Sequence, residues 1–355
     1  MHQSFTLQRA VQLLLLIFLV VAGLWFAKPF LVPLCFAVLL AMLFLPLSRW
    51  FERKKIPKGL AILFCILLLL SIITIIILGI SWQVNDLSRE LTDIENRVTQ
   101  IVAEIEQFIS NRFGISVKQQ EKILQQNAQS SAASNMLLNI GSSFASFIID
   151  FILCLVYIFL FMYFRTRIKN FILKLTPSRQ KDNAQQVIHD IEKVTQQYVT
   201  GIGKMMLCLW IMYSIGFSIV GVKYAVFFAI LCGLLEIIPF IGNLTGNLLT
   251  VLMVIVQGGG TGMILAVLVT YAVIQFIQSY LLEPLVVGAG VNINPLFTII
   301  ILVVGELIWG IPGLVLAIPL LGIVKIVCDH IEPLKPYGFL IGHDRKKKRV
   351  LIGNK

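Results

Sequence analysis

EPLVVGAGVNINPLFTIIILVVGELIWGIPGLVLAIPLLGIVK, residues Glu283 to Lys325, sets carboxylates, prolines, glycines and asparagines inside or beside sequence apolar enough to lie in lipid. A bilayer core offers no water to broken backbone, so such interruptions stand only where backbone lines a cavity or packs on protein. The stretch is therefore a candidate transport site. Its apolar run 296–328 has 33 residues. As one helix that is about 50 Å, against an apolar core of about 30 Å. Gly310, Pro312 and Gly313 interrupt the run and permit two shorter pieces. The expectation adopted is one long or bent passage.

Composition sets the class. The chain is 58% hydrophobic and only 13% charged, against roughly 25% charged in soluble domains. It reads as an all-α polytopic membrane protein. The net charge of +11 would suit nucleic acid, but in a membrane protein Lys and Arg collect in cytoplasmic loops, so no nucleic-acid partner is expected. Cys35, Cys65, Cys154, Cys208, Cys232 and Cys328 include no C-x-x-C pair and read as buried thiols. The histidines form no zinc motif, and Gly258–Gly262 lacks the lysine of a phosphate loop. No metal, cofactor, ATP hydrolysis or enzymatic activity is expected.

Eight crossings are expected, at 10–27, 30–47, 59–81, 143–164, 205–222, 224–241, 262–282 and 296–328, with 244–257 re-entrant; ten is the alternative count. The loop 48–58 carries Arg49, Arg53, Lys54, Lys55 and Lys58 against Glu52, and the tail carries Arg345 to Arg349. Both termini are therefore expected in the cytoplasm. The implied organisation is an N-terminal three-helix membrane region (1–81), an extracytoplasmic helical hairpin (82–140) and a fourth membrane helix (141–165). A cytoplasmic amphipathic helix region (166–203), a C-terminal membrane transport region (204–328) and a basic tail (329–355) follow. The amphipathic helix at 178–202 has a polar face of mixed sign, which favours packing on the ends of spans over lying on lipid. Within the hairpin, Val84, Leu87, Leu91, Ile94, Val98, Ile101, Ile105 and Phe108 alternate steps of three and four, a coiled-coil-like seam. It either packs on a short return helix at 117–128 or joins subunits.

Four carboxylates lie in or at the ends of apolar segments: Asp150, Glu236, Glu283 and Glu306. Ionised at a membrane-helix centre each costs about 2.5–3.5 kcal/mol, so each must face protein, an interface or a proton. Segments 234–252 and 281–300 are weakly alike. Glu236, Pro239, Gly242 and Asn243 parallel Glu283, Pro284, Gly288 and Asn292. Paired interrupted segments point to a transporter's midplane site. Candidate pathway residues are these eight with Asn294, Glu306, Gly310, Pro312 and Gly313, and Asp150 for coupling. Gln275 and Gln278 read either as pore lining or as interhelical glue.

The chain resembles the AI-2E family (autoinducer-2 exporter-like, PerM-like permeases). E-I-I-P-F-I-G-N at Glu236–Asn243, L-E-P-L-V-V-G at Leu282–Gly288, Asn294-Pro295, and Gly310, Gly313, Ala317 and Pro319 as G-x-x-G-x-x-x-A-x-P carry the resemblance. It implies a multi-pass protein of the bacterial inner membrane with about eight spans, broken or re-entrant helices in the C-terminal half, and assembly into homo-oligomers, such as a pentameric ring. It also implies a small polar solute as partner, autoinducer-2 for some members, and sodium or lithium exchanged for protons in others.

Three functions follow as expectations: a secondary transporter or facilitator exporting a small polar solute, a monovalent cation/proton antiporter, and a non-transporting envelope scaffold built on the seam.

Overall fold

The computed structural model describes residues 7–88, 132–238, 241–287 and 293–342. Among these the chain is helical, with one isolated antiparallel bridge between Ile293 and Gly342. The helices are α1 (Leu7–Phe26), α2 (Lys28–Arg53), α3 (Lys58–Ser88), α4 (Ala132–Leu175), α5 (Lys181–Val220), α6 (Ala225–Leu235), α7 (Ile241–Val256) and α8 (Thr261–Ile277). A π-helical segment (Gln278–Val287) continues α8, followed by α9 (Pro295–Trp309), α10 (Ile311–His330) and α11 (Lys335–Ile341). Seven helices among the described residues are long and apolar enough to cross a membrane. Their outward faces are apolar: Leu14, Phe18, Ile75, Ile219 and Leu265 are all more than half exposed. Water would penalise that surface; lipid does not. The chain is an all-α, multi-pass membrane protein.

Several boundaries differ from expectation. The basic loop at 48–58 is mostly helix, because α2 continues through Arg53. The amphipathic stretch and the fifth span form one helix, α5, of 40 residues. Gly201 and Gly203 cost about 1 kcal/mol each relative to alanine but retain their N–H groups, so without a proline the helix runs on. The expected span 224–241 is instead the 11-residue α6. It stops before Pro239, which lacks the N–H that continued helix needs. The seam from Arg89 onward and the return helix at 117–128 lie outside the described residues.

The chain divides into two compact units: residues 1–63, 157–205 and 280–355, and residues 64–156 and 206–279. The core of the first gathers Leu39, Trp309 and Leu316, with Leu24, Phe36 and Val199 packed against them. At its charged end, Ser48 donates to Glu52 Oε1 at 3.0 Å and Arg165 pairs with Glu52 at 2.5 Å. Lys58 Nζ donates to the Tyr163 carbonyl. The amphipathic half of α5 packs on neighbouring helices, as its mixed charge predicts. Gln196 Nε2 donates to Met42 O (2.9 Å), Arg49 meets Glu192 (3.4 Å), and Asn183 Nδ2 donates to His330 O (2.8 Å).

The run 296–328 is a hairpin, not a bent helix. Gly310, at φ +68°, ends α9 and starts α10 in a conformation that side chains disfavour. The two helices then pack side by side at glycine pairs. A Cβ on Gly313 would stand 1.9 Å from the Gly305 carbonyl oxygen, and one on Gly305 would stand 2.6 Å from that of Gly313. Trp309 Nε1 donates to Leu24 O (3.0 Å), fixing the hairpin tip beside the α1–α2 turn. Asn294 N donates to Ile341 O (2.8 Å) at the other end. Replacing Gly313 by leucine should lower the melting temperature or abolish the monodisperse peak in detergent, since backbone must move; overpacking typically costs about 1–3 kcal/mol. Gly23→Leu, whose added Cβ meets nothing within 4 Å, should leave both readouts unchanged.

Candidate functional site

The second unit contains a shorter hairpin, α6–α7. It starts after Gly221, at φ +84°, and Tyr224, at φ +59°. It returns to the same place, where Gln257 Oε1 accepts from Lys223 N (2.8 Å) and Gln257 Nε2 donates to Gly221 O (3.4 Å). Helices of 11 and 16 residues extend about 16 and 24 Å, less than a core of about 30 Å. Neither arm is long enough to cross that core as a straight helix, and the two outer ends of the hairpin meet, as a re-entrant hairpin requires. The segment 244–257, expected to be re-entrant, corresponds to the returning arm α7.

Glycines let the two arms touch. A Cβ on Gly242 would lie 1.7 Å from Leu235 O, and one on Gly246 would lie 2.9 Å from Cys232 Sγ. The turn residues Ile237 and Ile238 donate to Leu234 O and Leu235 O at 3.2 and 2.8 Å, which satisfies backbone that α6 no longer pairs. Pro239 lies outside the described residues.

Polar side chains converge on this tip from α8 and its continuation. Gln278 Nε2 donates to Glu236 Oε1 at 2.6 Å. Asn243 Nδ2 donates to Gln275 Oε1. Gln275 and Gln278 are three residues apart and so share a helix face. Gln278 is only 5% exposed, and its Oε1 has no hydrogen-bond partner among the described residues. Further along the arms, Thr250, fully buried, donates to Gly246 O (2.9 Å) and lies 3.7 Å from Cys232 Sγ. The Asn247 Oδ1 atom is also buried without a partner among the described residues. Opposed to the charge-assisted bond at Glu236, the cluster thus retains open acceptors. Carboxylate and amide oxygens of this kind suit a hydroxyl-bearing solute or a cation.

The other predicted residues divide by role. Asn294 Oδ1 accepts from Leu296 N (3.0 Å) and Pro295 occupies the first turn, so the pair starts α9. Gly310, Pro312 and Gly313 build the longer hairpin. The side chain of Glu306 is exposed on α9, while its carbonyl accepts from Gly310 N (2.7 Å). Glu283 is exposed in the π-helical segment, which also contains Pro284; a widened turn relieves the clash a proline ring makes with the carbonyl four residues back. Asp150 is exposed on α4. Gly288 and Asn292 lie outside the described residues. The first of the two related segments lies in the second unit, and the second lies in the first unit.

The glutamines prove to be the interhelical partners of Glu236 and Asn243. Two glutamines on one helical face were the available signal of an interhelical bond, but not of its partner. The partnership also makes a stability prediction. Gln278→Leu should cost about 1.5–3 kcal/mol by removing a hydrogen bond to a charged group, and Glu236→Gln should cost less because it keeps an acceptor oxygen. A thermal-unfolding double-mutant cycle should show coupling between the two positions.

The AI-2E family transporter model matches residues 13–332. The chain is 26% identical to YueF of Bacillus subtilis (strain 168), which carries a provisional transport-protein name, over 88% of this chain and 89% of that protein. It is 24% identical to the AI-2 transport protein TqsA of Escherichia coli (strain K12), over 90% of this chain and 92% of that protein. It is 21% identical to YhhT of the same strain, also provisionally named a transport protein, over 93% of each chain.

Proposed function

This chain belongs to the AI-2E transporter family, and we propose that it exports a small polar solute across the bacterial inner membrane without hydrolysing ATP. The observation that carries this reading is the Glu236–Gln278 pair at the tip of a re-entrant hairpin. A carboxylate there needs a reason, because an ionised group in lipid costs several kcal/mol. Broken hairpins with polar tips offer free backbone and side-chain groups to a solute at membrane depth. Autoinducer-2 is the first solute to test, since one relative is named for its transport.

The basic ends of α2 and α4 set the orientation by the positive-inside rule, with both termini in the cytoplasm. On that assignment the α6–α7 hairpin enters from the extracytoplasmic side. Self-association along Val84–Phe108 remains a proposal resting on heptad spacing.

Monovalent cation/proton antiport is the second reading. It is favoured by the same carboxylate and by Gln278 Oε1, which has no partner among the described residues, since carboxylate and amide oxygens are ligands for small hard cations. Reconstituted vesicles separate the two. Solute export predicts autoinducer-2 flux that falls at least tenfold in Glu236→Gln. Antiport predicts collapse of an imposed pH gradient on adding sodium or lithium, again lost in Glu236→Gln. Undiminished activity of that variant in whichever assay the wild type satisfies would remove Glu236 from the pathway.

A further inference from the structure

The first unit contains a two-part cavity at its charged end that the transport reading does not use. One part, about 430 Å³, is polar and is lined by Arg49, Lys169, Asp182, His189 and Glu192 among others. The other, about 320 Å³, is apolar, with Ala41, Leu45, Ile168, Ile172 and Ile191 in its walls. Lys169, Ile188 and Glu192 line both. The two parts are therefore neighbours, open to the surface and walled by α2, α4 and the amphipathic half of α5. From the geometry we infer that this cavity binds one membrane phospholipid of the phosphatidylethanolamine class, headgroup in the polar part and an acyl chain in the apolar part.

The polarity gradient argues for a lipid. On α2, Ala41 and Leu45 precede Arg49 by two turns and one turn. The apolar walls thus lie toward the middle of the span and the charges at its end. An acyl chain below a headgroup has this order. A soluble metabolite has no use for the apolar part.

The charges argue for a zwitterion. Arg49 and Glu192 are already paired at 3.4 Å. That leaves Lys169, half-buried, and Asp182, exposed in the first turn of α5, each with no ion pair among the described residues. One unmatched cation and one unmatched carboxylate in a single cavity complement a phosphate and a primary ammonium together. An anionic headgroup would meet Lys169 but leave Asp182 opposed to it. A primary ammonium, unlike a quaternary one, also donates hydrogen bonds to a carboxylate. The bound lipid would tie α5 to α2 and α4 beside the contacts of Gln196 with Met42 and of Asn183 with His330.

The test uses the full chain purified in detergent and stripped of lipid. It is titrated with dioleoyl phosphatidylethanolamine, dioleoyl phosphatidylglycerol or glycerophosphoethanolamine, which lacks the chains. Native mass spectrometry reads occupancy. The expected result is phosphatidylethanolamine bound at least tenfold more tightly than phosphatidylglycerol, with glycerophosphoethanolamine not retained. Lys169→Ala should weaken both lipids at least tenfold. Asp182→Ala should weaken only phosphatidylethanolamine, and its retained phosphatidylglycerol binding reports that the variant is folded. Equal binding of the two lipids, an Asp182→Ala variant that holds phosphatidylethanolamine undiminished, or glycerophosphoethanolamine bound as tightly as the lipid would each overturn the proposal.

Discussion

A peptide group inside a bilayer must find its hydrogen-bond partner within the protein. The two hairpins in the C-terminal half are different answers to that constraint. In both, glycines bring backbone against backbone. Gly242 and Gly246 do so for α6–α7, and Gly305 and Gly313 for α9–α10. Larger residues at these positions would hold the arms apart and expose their turns. The need to pair broken backbone therefore determines which residue types the turns tolerate. It also determines where the polar side chains cluster.

The hairpins differ in what their turns carry. The α9–α10 turn is compact, formed around Gly310, and the indole of Trp309 anchors it to the α1–α2 turn. Its predicted site residues are mostly architectural: Asn294 starts a helix, Gly310 reverses the chain, and Gly313 permits packing. The α6–α7 turn bears Glu236. That carboxylate is held by Gln278, whose own oxygen has no partner among the described residues. A network satisfied on one side and open on the other is costly in a purely structural role. The same openness is what a binding site requires.

Much of this was legible in the sequence. Hydrophobic content identified a polytopic membrane protein. The excess length of 296–328, with Gly310, Pro312 and Gly313 inside it, made two pieces permissible. The mixed charge of 178–202 correctly favoured packing on the spans. Three features were not legible. Residues 224–241 look like a span because composition does not register where Pro239 stops a helix. The fusion into α5 was hidden because glycine is a weak breaker and amphipathic and apolar stretches can share one helix. The pairing of Gln278 with Glu236 joins residues 42 positions apart, which no local pattern encodes. The seam remains a sequence expectation, since most of it lies outside the described residues.

The account depends on α6–α7 leaving the membrane on the side it entered, with Glu236 at the turn. In a functional variant whose six native cysteines are replaced, single cysteines at positions 223 and 257 can be labelled with a membrane-impermeant maleimide in sealed vesicles of each orientation. The prediction is that both label in the same orientation and are protected together in the other. Labelling of the two positions from opposite faces would make α6–α7 a crossing segment and contradict the account.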